Sequence, residues 1–322
     1  MMQTVRIIGK CQVHEPGVIA VRQQDCERGR ATVAEDLSPT LRRRELGARL
    51  RDLRLTLDLT LEDVAASLLC SPAKISRIET GARNVSQRDV RDLCRLYGVA
   101  DTGQLDLLTQ LAREGRRRAW WQDYDELTST YSTYIGLEQA AVTVSEFNLG
   151  VIPGLLQTER YTRGLIDGMD PQLLDEEVDQ RVEVRLLRQR RLSSSDPPVL
   201  RAVLDESALW RVVGDADVMA EQLLALRESA RSTTSDIRVL PFSAGAYPAL
   251  NGQFIILEFK NQIIADTVYV ESLSGNSFFK RSADLERYHK IFAEVQEIAL
   301  SPDESLNLLD LVRQHHIQHQ KK

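Results

Sequence analysis

From Thr60 to Gly81 the chain reads TLEDVAASLLCSPAKISRIETG. Leu61, Val64, Ala65 and Leu68 fall at i, i+3, i+4 and i+7, one apolar face of a helix. Ile75 and Ile78 begin a second face with the same spacing. Thr60 is placed to cap the first helix, with Asp63 as a short capping-box partner. Ser71 caps the second helix, and Pro72 sits at its first position, where a missing N–H costs nothing. Ala73, Lys74, Ser76 and Arg77 are left on the outer side. The pattern predicts two short helices crossing closely at Ala65.

The pattern extends in both directions. Leu46, Leu50 and Leu53 predict a helix from Leu41 to about Leu57, with Arg42, Arg43, Arg44, Arg49 and Arg51 mostly outside. Ser86 opens a helix through Tyr97 that Gly98 closes, and another follows from Asp101 to about Arg118. Beyond them, apolar runs over 142–150, 198–206 and in DIRVLPF, NGQFIILEF and DTVYVES read as strands. Helical patterns start at Thr158 and cover 172–192, 216–230, 283–299 and 303–317. The expected fold is an all-α five-helix domain, 41–115, followed by an α+β domain, 116–322, with a largely antiparallel sheet. Residues 1–40 are expected to be a poorly ordered extension.

At 322 residues, 43% hydrophobic and 27% charged, the composition is that of a globular chain of about two domains. No apolar run approaches the ~18 residues of a membrane span, and no secretory signal opens the sequence, so a cytoplasmic protein is expected. The net charge of −6 is unevenly spread. Residues 41–119 hold sixteen basic and eleven acidic residues, a balance of +5 that leaves −11 for the rest. A basic module on an acidic body suits a DNA reader. Cys11, Cys26, Cys70 and Cys94 show no CxxC spacing, so neither zinc nor a disulfide framework is expected, and Cys70 and Cys94 read as buried thiols. His315 and His319 lie at i, i+4 beside an exposed His316, without a carboxylate cluster, a poor metal site. Phosphate loops, nucleophile elbows and paired catalytic carboxylates are absent, so no cofactor and no enzymatic activity are expected.

The Thr60–Gly81 stretch, above all the ISRIETG run, resembles the helix-turn-helix of lambda-repressor-like regulators, the class named after the xenobiotic response element. The resemblance implies that the second helix enters the major groove of double-stranded DNA. By position, Pro72, Ala73, Ser76 and Arg77 then face bases, Lys74 lies near the backbone, and the capping Ser71 counts among the DNA-binding candidates. Arg77 would be the guanine reader, because its fork matches O6 and N7 together. Thr60, Arg83 and Asn84 match the family's phosphate contacts, and Arg54 pairs with Glu79 as a brace. The resemblance also places a glycine of positive φ where this chain has Leu69, so the turn is either strained or wound differently.

A second resemblance rests on Trp120–Trp121, Glu138, the run Pro153-Gly154-Leu155-Leu156-Gln157-Thr158 with Tyr161, the series Arg181, Arg185, Arg188-Gln189, then Leu240-Pro241 and Tyr269-Val270-Glu271. In this order they are similar to the C-terminal domain of actinobacterial WhiJ-type, antitoxin-like regulators. That family implies transcription regulation beside a small partner protein encoded nearby. The aromatic cluster Trp120, Trp121, Tyr124, Tyr131 and Tyr134 reads as core or domain interface, or as the wall of a pocket. With Pro153 and Gln157 it makes one candidate partner or ligand site. Arg181, Arg185 and Arg188 share a helical face and could bind an anion, or pair with Glu176, Glu177 and Glu183. The Arg116–Arg118 run reads as a linker or a DNA-backbone contact.

These readings converge on a sequence-specific DNA-binding transcriptional regulator, a repressor in the simplest version. Its C-terminal domain would form a homodimer and sense a small partner protein or small-molecule effector. The alternatives are an antitoxin-like protein that binds DNA for autoregulation and, more remotely, an enzyme domain fused to a DNA-binding module.

Overall fold

The computed structural model describes residues 38–124, 127–260, 263–273 and 275–319, so nearly all of the expected 1–40 extension lies outside the described residues. Asp36–Lys322 forms one compact unit. Five helices open it: α1 (Pro39–Thr56), α2 (Leu61–Ser67), α3 (Pro72–Glu79), α4 (Gln87–Leu96) and α5 (Thr102–Gly115). Their shared core contains Leu46, Leu50, Val64, Ala65, Ile75 and Ile78, which the periodicity selects, together with Val90 and Leu93 of α4. Thr60 and Asp63 form a reciprocal capping box, and the Ser71 hydroxyl accepts from the Lys74 N–H. Helix α5 stops at Gly115, short of the expected Arg118. Cys94 is buried, but Cys70 is only half-buried at the edge of the core, because the turn that carries it faces outward.

Leu69 adopts the left-handed conformation, φ 51°. Of the two expected turns, the strained one is present. Its side chain is 95% exposed and recovers nothing by packing.

After α6 (Ser129–Glu138), a helix that the pattern did not reveal, come β1 (Thr143–Asn148), α7 (Glu159–Met169), α8 (Asp175–Gln189) and β2 (Val199–Asp205). Then follow α9 (Ser207–Trp210), α10 (Ala216–Ser229), β3 (Ser235–Leu240), β4 (Phe254–Glu258), β5 (Thr267–Ser272), β6 (Gly275–Phe279), α11 (Ser282–Ile298) and α12 (Pro302–His319). The six strands form one sheet, ordered β3-β2-β1-β4-β5-β6. Three of its five pairings are antiparallel, and the β1–β2 and β2–β3 pairs are parallel, so antiparallel contacts predominate as expected. The parallel pairs follow from the helical crossovers that separate those strands. Both faces of the sheet are covered. Val144, Leu200, Leu204 and Val239 join Leu309 and Val312 of α12 on one side. Phe147, Val203 and Ile256 join Phe292 and Val295 of α11 on the other.

Helix α1 belongs to both halves. The sequence reading placed its arginines mostly outside, but two of them turn inward. Arg43 donates to the Gly115 carbonyl at 2.9 Å. Arg44 donates to Thr267 of β5 at 3.3 Å and lies over the Phe278 ring of β6. Gly136 allows α6 to approach the first turn of α1: a Cβ there would stand 2.4 Å from the Thr40 hydroxyl. Helix α1 therefore meets the sheet at β5 and β6 and touches α6, a close approach that helical periodicity does not encode.

The strain at Leu69 is testable. Replacement by glycine removes a left-handed penalty of about 1–2 kcal/mol and adds about 0.5–1 kcal/mol of unfolded-state entropy. At mid-range values Leu69→Gly should stabilise the fold by about 0.75 kcal/mol and so raise the urea midpoint, and a lower midpoint would contradict the account of the turn.

Candidate nucleic-acid interface and ligand cavity

Helix α3 is held from behind. Arg54 grips Glu79 with both arms, Nε to Oε1 at 2.7 Å and Nη2 to Oε2 at 2.9 Å, and its third nitrogen donates to the Leu59 carbonyl. Both side chains are less than a tenth exposed. The Glu79 bond outweighs burial and holds the Arg54 guanidinium above its ordinary pKa. Gly47 brings α1 against the same end of α3, where a Cβ would meet the Ile78 and Glu79 carbonyls at 2.5 Å. The brace foreseen for Arg54 and Glu79 is thus present in geometry.

On the other side of α3 the candidate contacts are spread over one surface. Ser71, Pro72, Ala73, Arg77, Arg83 and Asn84 are exposed, and Ser76 is half-buried. Arg77 is folded back along its own helix, Nε to the Ala73 carbonyl at 3.2 Å, an exposed bond that a stronger acceptor can replace. Lys74 is tied to Asp89 at 2.7 Å, at the N-terminus of α4. The Thr60 hydroxyl donates to Asp63 at 2.6 Å while accepting its N–H, so a phosphate contact there has to displace Asp63 or use the backbone.

The C-terminal candidates divide into two groups. Tyr131, Tyr134, Gln157, Arg185 and Arg188 surround one cavity of about 390 Å³, together with Gly154 beside Pro153. Its strongest interaction is a buried ion pair between α8 and α6. Arg188 donates to both oxygens of Glu138, at 2.8 and 2.6 Å, and also to the Tyr131 and Tyr134 hydroxyls. Tyr134 in turn donates to Glu138 at 2.5 Å and stacks on Tyr269, ring centroids 4.2 Å apart. Gln157 receives the Arg185 Nη1 at 3.0 Å, while Gln189 and Gln222 hold the backbone of its turn.

The sequence reading did not single out Glu146, Asn148 and Arg211, which also line this cavity. The available signal was two acidic or amide residues, spaced i and i+2, inside an otherwise buried strand. Glu146 is 3% exposed. Burial, reinforced by the Glu138 and Glu271 charges and opposed by Arg188 and Arg185, pushes its carboxyl up to about 8.

The second group lies elsewhere. Trp121 is buried against Gly136 and shares a groove beside α1 with Tyr124, while Trp120 packs edge-on against both. Arg181 faces Asp170 at 3.6 Å, outside the cavity. The arginine series does not pair with Glu176, Glu177 and Glu183: Arg181 takes Asp170, Arg185 takes Gln157 and Arg188 takes Glu138, because the helix packs with its face turned to α6 and the Pro153–Thr158 turn. His316, expected to be exposed, is buried with its Nε2 3.0 Å from the Leu209 carbonyl. Glu258, Asp266 and His289 come together with ligand atoms within 4.8 Å of one another. Asp266 also accepts the Phe259 N–H there.

Two outcomes follow for the cavity wall. Arg188→Met strands a buried carboxylate, and loss of one partner of such a pair costs about 3–5 kcal/mol; calorimetric unfolding should show it, and a loss below about 1 kcal/mol would mean that the pair does not hold α6 to α8. For Glu146 the folded pKa is raised, so its contribution is fully present below the ordinary glutamate range and is lost as pH rises through about 8. The groups that face it are Tyr134 and Glu138 of α6, Arg185 and Arg188 of α8, and Glu271 of β5. Glu146→Gln should therefore gain stability relative to the native protein between about pH 5 and 8, and parallel stability–pH curves would refute the assignment.

No curated protein and no solved structure matches the chain significantly. Two family models do match, a helix-turn-helix domain over residues 45–108 and the domain of unknown function DUF5753 over 131–310. Among the described residues no helix is long and apolar enough to cross a membrane. Because the DUF5753 match spans more than half of the chain, the protein belongs to the DUF5753 family, and it carries an N-terminal helix-turn-helix domain of the kind found in DNA-binding regulators.

Proposed function

We propose that this protein is a sequence-specific transcription regulator that reads its operator with α3 and acts as a homodimer, its C-terminal domain sensing a small molecule or partner protein. The observation that carries the reading is the Arg54–Glu79 brace behind α3, with Ala73, Arg77, Arg83 and Asn84 exposed in front. A helix that inserts into a groove must resist displacement, and a bidentate buried pair is a stiff support. Arg77 needs only to leave a solvent-exposed carbonyl to reach a base edge. Arg83 and Asn84 follow the C-terminal end of α3, where side chains can reach phosphates. The reading assigns the chain no catalytic step. Two-fold pairing supports it on general grounds, because one module makes few base contacts and dimers span half-sites about 34 Å apart.

Selection of binding sites from random DNA, followed by titration at several salt concentrations, tests the assignment. Arg77→Ala should cost ~1–3 kcal/mol and flatten preference at one base pair. Arg83→Ala should weaken all sequences alike and lower the salt slope by about one. An unchanged base profile in Arg77→Ala would remove Arg77 from the reading. Sedimentation of the full chain should give a dimer on a two-fold site, and one monomer on one half-site would end the dimer proposal.

A further inference from the structure

The cavity holds an unusual concentration of unused polar atoms. Glu146 Oε1, Asn148 Oδ1 and Arg185 Nε are each buried with no hydrogen-bond partner in the protein. All three residues line the same space. Buried polar atoms are ordinarily paired, so three orphans around one cavity mark places where a guest supplies the partners. Glu146 and Asn148 are 3% and 8% exposed, and they project from alternate positions of β1. The site is therefore built into the centre of the sheet rather than laid on a surface.

Its position fits the topology. The parallel half of the sheet, β3-β2-β1, meets the antiparallel half at the β1–β4 junction. The cavity lies at the carboxyl end of β1, beside the amino end of the antiparallel β4, with Asn148, Gly150, Gln253 and Phe254 in its lining. Its size is that of a metabolite site.

The charges select among guests. The Arg188 cation is consumed by Glu138. Arg185 bonds only the neutral Gln157, and Arg211 at the rim has no carboxylate partner among the described residues. Of the acids, Glu146 is raised towards the neutral form and Glu271 accepts the Tyr269 hydroxyl. An anionic group suits the Arg185 side. The Asn148 carbonyl needs an N–H or O–H donor, and the Tyr134 and Tyr269 rings supply flat apolar wall between them.

We propose that this cavity binds a small organic anion, a carboxylate or a phosphate ester that also carries an N–H or O–H donor, as the effector of the regulator. The inference rests on the proposed function and deepens it by naming the chemistry of the sensed molecule. Its route to DNA is short. Tyr134 stands on α6, which meets α1 at Gly136 and Thr40, and Tyr269 stands on β5, which holds Arg44 of α1 through Thr267. Helix α1 in turn bears the Arg54 brace of α3.

Titration calorimetry on the full chain without DNA tests the binding. The probes are 4-hydroxyphenylacetate, N-acetylglutamate and glycerol 3-phosphate, each beside an uncharged twin: 4-hydroxyphenylacetamide, N-acetylglutamine amide and glycerol. At least one anion should bind once per chain while its twin does not. The carboxylates and the phosphate ester distinguish the two sources of charge. Arg185→Gln should weaken that binding tenfold or more, and Arg211→Gln, an exposed position that does not threaten folding, several-fold. Arg181→Gln, on the same helix but outside the cavity, should leave it intact. No binding by any anion, equal binding by the twins, or indifference to both Arg185→Gln and Arg211→Gln overturns the proposal. Operator affinity is then measured with and without the bound anion, and an unchanged affinity overturns the effector role. Failure to bind any DNA would instead defeat the proposed function while leaving the ligand assignment standing.

Discussion

The Arg188–Glu138 ion pair is the constraint around which the C-terminal domain is arranged. Both groups are almost wholly buried, and the desolvation of each is tolerable only because the other lies in bidentate contact. Two of the three remaining N–H donors of Arg188 are met by the Tyr131 and Tyr134 hydroxyls. The pair locks α6 to α8 and sets the distance across the cavity. It also bears on a third group. Burial above all raises the pKa of the neighbouring Glu146; the Glu138 charge adds to that and Arg188 opposes it, so one buried carboxylate is paired and the other is driven towards its neutral form.

Helix α1 conveys that arrangement to the other half of the chain. Its N-terminal turns touch α6 and β5 through Thr40 and Arg44, and its C-terminal turn carries the Arg54 that holds Glu79. A single eighteen-residue helix is thus in contact with both the sheet domain and α3. A rigid helix shared by two cores transmits displacement, since packed interfaces shift between discrete arrangements rather than deform smoothly. The strained turn at Leu69 lies on the same module, between α2 and α3, and an exposed leucine there costs stability without adding to the core.

The sequence by itself determined the local features. Caps at Thr60, Ser71 and Ser86, the proline at the start of α3 and the apolar spacing of Val64, Ala65, Ile75 and Ile78 are short-range signals, and each helix formed where they predict. The Arg54–Glu79 brace was legible through the resemblance of the motif, and the strands were legible as apolar runs. Tertiary structure decided whatever depended on distant partners. Glu138, Glu146, Asn148 and Arg188 come from three elements, with Glu138 and Arg188 fifty residues apart. No local pattern distinguishes an arginine facing solvent from one facing a buried carboxylate across the fold, which is why Arg181 and Arg188 look alike in sequence and part company in space. The same reason separates Trp121 from Tyr131 and buries His316. Whether a polar side chain becomes a surface group, an ion-pair partner or an unpaired atom in a cavity depends on which helix packs over it, and that is settled by the packing of whole layers rather than by neighbours in the chain.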